Sequence, residues 1–156
     1  MTLTSPSVRP DHTGSDTAVR FPVLPTPSAV RSARGRVLSQ LRAWGLGAHE
    51  EFAYDVLVTL SELLTNAVVH GRGSLTVGLD LDFDRLIVEV FDQNDDEPRA
   101  GGAGPDGESG RGLSVIGSLA LAQGCERLSR GKRCWAVLDV PRYAGAVPLH
   151  AHSDVV

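Results

Sequence analysis

Lysine and arginine are absent from the whole stretch between Glu50 and His70, E-E-F-A-Y-D-V-L-V-T-L-S-E-L-L-T-N-A-V-V-H. A helix face turned to water usually carries Lys, Arg and Glu, so their lack argues that polar positions here have another task. Other absences narrow the field. No stretch approaches the roughly eighteen uncharged apolar residues of a membrane span, and no apolar signal core opens the chain. Together these point to a cytoplasmic protein with no membrane partner. There is no basic run, the net charge is -4 and the sequence pI is near 5.7, which argues against a nucleic-acid partner. Only two cysteines occur, Cys125 and Cys134, and no metal-ligand spacing is present. Counting outward from a turn at Arg130-Gly131 sets Cys134 opposite Arg127, which places the two cysteines poorly for a disulfide.

What remains is the composition of one ordinary globular domain: 156 residues, 42% hydrophobic and 22% charged. Residues 1–18 are Ser, Thr, Pro and Asp with few apolar residues and read as a disordered tail. A domain over 19–141 follows, and 142–156 reads as a loose tail. Val19 to Leu24 suits a short strand, held to an edge or an end by Pro22. Pro25-Thr26-Pro27-Ser28 sets up a helix to about Trp44, with Ser28 as its N-cap. Ser74 to Leu81 alternates strictly, Asp82-Phe83-Asp84 turns the chain, and Arg85 to Phe91 returns as an antiparallel partner. From Asp92 to Gly112 there are six glycines, two prolines and six acidic residues, and an unstructured connection of that length is usually functional or disordered. A helical pattern (Leu113, Val115, Ile116, Leu119, Ala120) and a final hairpin, Cys125 to Ser129 with Lys132 to Val140, complete the chain. This order predicts an α+β, two-layer sandwich: a mixed, mostly antiparallel sheet with three helices on one face.

The helix over 50–70 separates into two stripes. Ala53, Val56, Leu57, Leu60, Leu63, Leu64 and Ala67 share an apolar arc that must meet a core. Asp55, Thr59, Glu62, Asn66 and His70 share the opposite arc at spacings of three and four. On periodicity alone this second stripe reads first as an ordinary solvated face, as most polar helix stripes are. As chemistry, E-x-x-x-N offers an Asn oxygen suited to Mg²⁺ and, one turn back, a carboxylate able to accept a proton. Asp92 closes a strand and could take a hydrogen bond from an exocyclic amine, though a turn-starting Asp reads the same way. Gly110-Arg111-Gly112 leads into a helix start, where free N–H groups and the helix dipole favour phosphate. It follows no parallel strand and precedes no GK[ST], so it is neither a Rossmann nor a Walker element.

In this order and spacing, E-L-L-T-N-A-V-V-H, V-F-D-Q-N and E-S-G-R-G-L resemble the ATP-binding (Bergerat-type) fold shared by histidine kinases, Hsp90, gyrase and MutL. Within it the nearest likeness is to the anti-sigma factor serine/threonine kinases. The first segment looks like the family's N box, E-x-x-x-N-A-x-x-H, the second like its adenine-contact segment, and the third like its glycine motif. The resemblance implies ATP and Mg²⁺ as cofactors. Asn66 would bind the metal, Glu62 would be the catalytic base for a protein Ser or Thr hydroxyl, and Asp92 would contact adenine. Gly110, Arg111, Gly112 and Leu113 would cradle the phosphates, 93–111 would form the lid, and His70 would line the nucleotide site, although a helix-end His bonded to backbone reads the same way. The implied partners are a sigma factor or an anti-anti-sigma antagonist protein, the latter phosphorylated to control transcription. An apolar patch on the first helix or the sheet edge could also serve a homodimer.

One departure stands out. The family's wider pattern has D-x-G-x-G, whereas Asp92 is followed by Gln93, Asn94, Asp95 and Asp96. Without those glycines there is less room for close backbone approach, and the added carboxylates repel phosphates unless they point outward or share the metal. A non-catalytic module that acts through partner binding alone is therefore the alternative. A histidine kinase fragment ranks below both, because no paired dimerisation helices bear a phospho-accepting histidine.

Overall fold

The computed structural model describes residues 17–70, 73–93 and 115–141. Within them lie β1 (Ala18–Val23), α1 (Pro27–Ala43), α2 (Glu50–His70), β2 (Leu75–Asp82), β3 (Arg85–Asp92), β4 (Ala122–Arg127) and β5 (Lys132–Asp139), with a short helix over 115–119. The strands form one sheet in the order β1-β2-β3-β5-β4, and each neighbouring pair is antiparallel. The α+β sandwich expected from the element order is the one observed. Most of the tails expected at 1–18 and 142–156, and all of the 93–111 lid except Gln93, fall outside the described residues.

Alternation explains the sheet's inner face. Leu75, Val77, Leu79 and Leu81 of β2 sit beside Leu86, Val88 and Val90 of β3, with Val88 opposite Leu79 and Ala136. Against them packs the apolar arc of α2: Ala53, Val56, Leu60, Leu63, Leu64 and Ala67 are buried, as expected. α2 is long and apolar enough to cross a membrane by length and composition, contrary to the expectation that no stretch would be. In this fold its apolar arc belongs to the core of the domain. α1 covers the same layer through Ala33, Val37 and Leu41. Its cap is Thr26, whose Oγ1 accepts the Ala29 N–H at 3.2 Å, and Pro27 fills the first turn. Ser28, the expected cap, lies inside the helix, because the cap sits before a first-turn proline rather than after it.

The closing hairpin corrects the cysteine reading. Its loop is four residues, Leu128 to Gly131, closed by the Leu128 N–H to the Gly131 oxygen at 2.9 Å. Arg127 therefore pairs with Lys132, and the register moves by two residues from that of a two-residue turn at Arg130-Gly131. Cys125 stands directly opposite Cys134, with Cα atoms 4.1 Å apart, and the two are disulfide-bonded.

The sheet's outer face holds a buried carboxylate. Glu89 is 6% exposed and lies between Arg20, at 3.3 Å, and the Arg133 Nε. Arg133 also reaches Glu126 at 3.2 Å, and Arg20 lies over the Phe91 ring. A buried charge is tolerated only when paired, and two guanidinium groups supply the pairing here. Opposite Glu89 is Gly78, where a Cβ would come 2.7 Å from the Glu89 Cγ, so the missing side chain makes space for the carboxylate.

Candidate functional site

The polar stripe of α2 is not its solvent face. Glu50, Glu51, Tyr54, Thr65, Val68 and Val69 are the exposed positions, whereas Asp55, Glu62 and Asn66 are half-buried, on the flank between that exposed side and the buried arc. Glu62 and Asn66, one turn apart, thus share a partly enclosed line on a helix packed against β3 and β5. Thr59, expected in the same polar line, is fully buried, and its Oγ1 has no hydrogen-bond partner among the described residues. Its position borders the apolar arc, and that neighbour set rather than its hydroxyl decides its burial.

Burial pushes the Asp55 carboxyl above its ordinary value, and the charge of Glu51, one turn back, adds to this. A raised acid pKa means that ionising Asp55 costs the folded state more than the unfolded chain. Asp55 therefore withholds stability above its folded pKa, and the cost vanishes below the unfolded value of 3.8. Asp55→Asn is expected to raise the urea midpoint at pH 7, with the gain disappearing near pH 3. An equal gain at both pH values would place its origin in something other than ionisation.

Asp92 ends β3 with only 3% of its surface exposed. On the inner face of the sheet it follows Leu86, Val88 and Val90 by alternation, so it looks toward the helix layer. Its Oδ1 accepts the Lys132 N–H at 3.1 Å, and the Lys132 Nζ lies 3.9 Å from Oδ2. A carboxylate held this way is a fixed acceptor. Gly131, with φ +79°, packs against the Asp92 main chain, where any Cβ would collide with the Asp92 carbonyl.

Three of the expected site residues, Glu62, Asn66 and Asp92, thus lie on elements that pack together. His70 closes α2, but its side chain falls outside the described residues. So do Gly110, Arg111, Gly112 and Leu113. The sequence alone places Gly131 in the last turn and Lys132 at the start of the last strand but assigns neither to the site, because their neighbour Asp92 lies some forty residues earlier in the chain. Among the described residues no three His, Cys, Asp or Glu side chains converge on a metal position. The carboxamide oxygen of Asn66 is a hard donor of the kind Mg²⁺ takes, one or two from protein with phosphate and water completing its shell.

Residues 23–135 match the family model for the histidine kinase-like ATPase domain. The chain belongs to that family. The match spans β1's end through the middle of β5, so it includes Glu62, Asn66, Asp92 and Lys132. The chain is accordingly an ATP-binding regulatory module of the histidine kinase-like type, with ATP as its nucleotide. No curated protein matches it.

Proposed function

We propose that this histidine kinase-like ATPase domain acts as an anti-sigma factor type serine/threonine kinase. It would bind a sigma factor or an antagonist protein in the cytoplasm and phosphorylate the antagonist on Ser or Thr. The observation that carries the reading is the half-buried Glu62–Asn66 pair on a helix packed against the strand that ends in buried Asp92. A binding-only module has no need of a carboxylate one turn from a metal-ligating carboxamide.

In this reading Asp92 accepts a hydrogen bond from the adenine amine and fixes the base. Asn66 holds Mg²⁺ through its carboxamide oxygen. When bound, Mg²⁺ neutralises charge on the phosphates during transfer. Glu62 accepts the proton of the attacking Ser or Thr hydroxyl as its oxygen bonds to the γ-phosphorus, and ADP departs. His70 and the Gly110–Leu113 segment are assigned to the nucleotide site by motif.

Glu62→Ala tests this. The variant should bind nucleotide as the parent does but transfer phosphate to a cognate antagonist at least about a hundredfold more slowly, the usual contribution of a positioned base. Radiolabelled ATP with the co-purified partner gives the readout. Regulation that survives Glu62→Ala unchanged would establish the binding-only alternative.

A further inference from the structure

Asp92 is not alone at the base end of the site. Lys132 is its direct partner across the β3–β5 pairing, so both side chains leave the same face of the sheet. The Asp92 side chain is 1% exposed, whereas that of Lys132 is 34% exposed and reaches in from the rim. Their Nζ–Oδ2 separation of 3.9 Å is short enough for a charge interaction and too long for a hydrogen bond. The Lys132 main-chain N–H holds Oδ1 at 3.1 Å, which orients the carboxylate independently of the ammonium. The result is a fixed acceptor beside a cationic donor with three N–H bonds to direct.

We propose that Lys132 reads the purine edge together with Asp92, donating to ring nitrogen N1 while Asp92 accepts from the 6-amino group. A 6-aminopurine presents a donor and an acceptor side by side on that edge, and the Asp92–Lys132 pair presents the complement. The ammonium is held near the carboxylate without being consumed by a hydrogen bond to it. A bound base therefore gains a donor and Lys132 keeps its charge partner. This inference rests on the nucleotide reading above and adds a specificity-determining residue to it. It also bears on the missing glycines after Asp92: contact from the β5 side does not depend on backbone approach from residues 93–96.

The test compares ATP with 1-deaza-ATP, in which a C–H replaces N1, by calorimetric titration of the full chain. The parent protein is expected to prefer ATP by about tenfold or more, the range of one hydrogen bond to a charged group. Lys132→Met should bind the two nucleotides within about twofold of each other, and Lys132→Arg, which keeps a cationic donor, should retain the preference. Both variants preserve the main-chain N–H that holds Asp92. A Lys132→Met variant that still prefers ATP as strongly as the parent overturns the assignment while leaving the site intact. A parent protein that binds neither nucleotide overturns the nucleotide reading itself.

Discussion

Gly131→Ala is expected to be the most damaging single substitution at the site, lowering stability by about 2–5 kcal/mol. Two effects combine. Gly131 has φ +79°, and a non-glycine residue held in the left-handed region costs about 1–2 kcal/mol. The new Cβ would also fall onto the carbonyl oxygen of Asp92, and within 2.7 Å of its carbon and 2.8 Å of the Gln93 Cα. All of these are backbone atoms, so no rotamer change relieves the overlap, and overpacking of this kind costs about 1–3 kcal/mol more. Domains of this size are held by only about 5–15 kcal/mol in total, so the urea midpoint should fall sharply. Whatever fraction folds must displace the Asp92 backbone, so ATP affinity should fall as well. Gly35→Ala is the matching control. It lies on the exposed side of α1 with no atom within 4 Å of an added Cβ, and should stabilise by about 0.5–1 kcal/mol. A Gly131→Ala protein as stable as the parent would contradict the packing described around Asp92.

Much of this fold could be read from local pattern. Strict alternation in 74–81 and 85–91 marked β2 and β3, and the 3.6-residue period of 50–70 marked α2 and its buried arc. Glu62 and Asn66 were legible for the same reason, since four residues of separation on a helix already places them together. What was not legible depends on contacts distant in sequence. The register of β4 against β5 turns on whether the loop holds two residues or four, and Gly131 suits either length; the four-residue loop brings Cys125 and Cys134 together. Thr59 has the residue type of the polar stripe but the neighbours of the core. Glu89 reads as an outward-facing charge on an alternating strand. Its burial depends on Arg20, 69 residues earlier, and Arg133, 44 residues later. Lys132 meets Asp92 only because β5 inserts between β3 and β4, a strand order that no local pattern encodes.

The central claim is that Asn66 and the elements around it form a magnesium-dependent ATP site. Asn66 is half-buried on α2, one turn from Glu62, and its carboxamide oxygen is the donor assigned to the metal. Removing its carboxamide should therefore remove the contribution of the metal while leaving the base contact at Asp92 in place. The direct test is calorimetric titration of ATP into the parent protein and Asn66→Ala, each with and without Mg²⁺. The parent should gain at least about tenfold in affinity from Mg²⁺, equivalent to about 1.4 kcal/mol. Asn66→Ala should lose that gain while matching the parent's weaker affinity in the absence of metal. Absence of ATP binding by the parent at millimolar concentration, or a full magnesium gain in Asn66→Ala, would contradict the account.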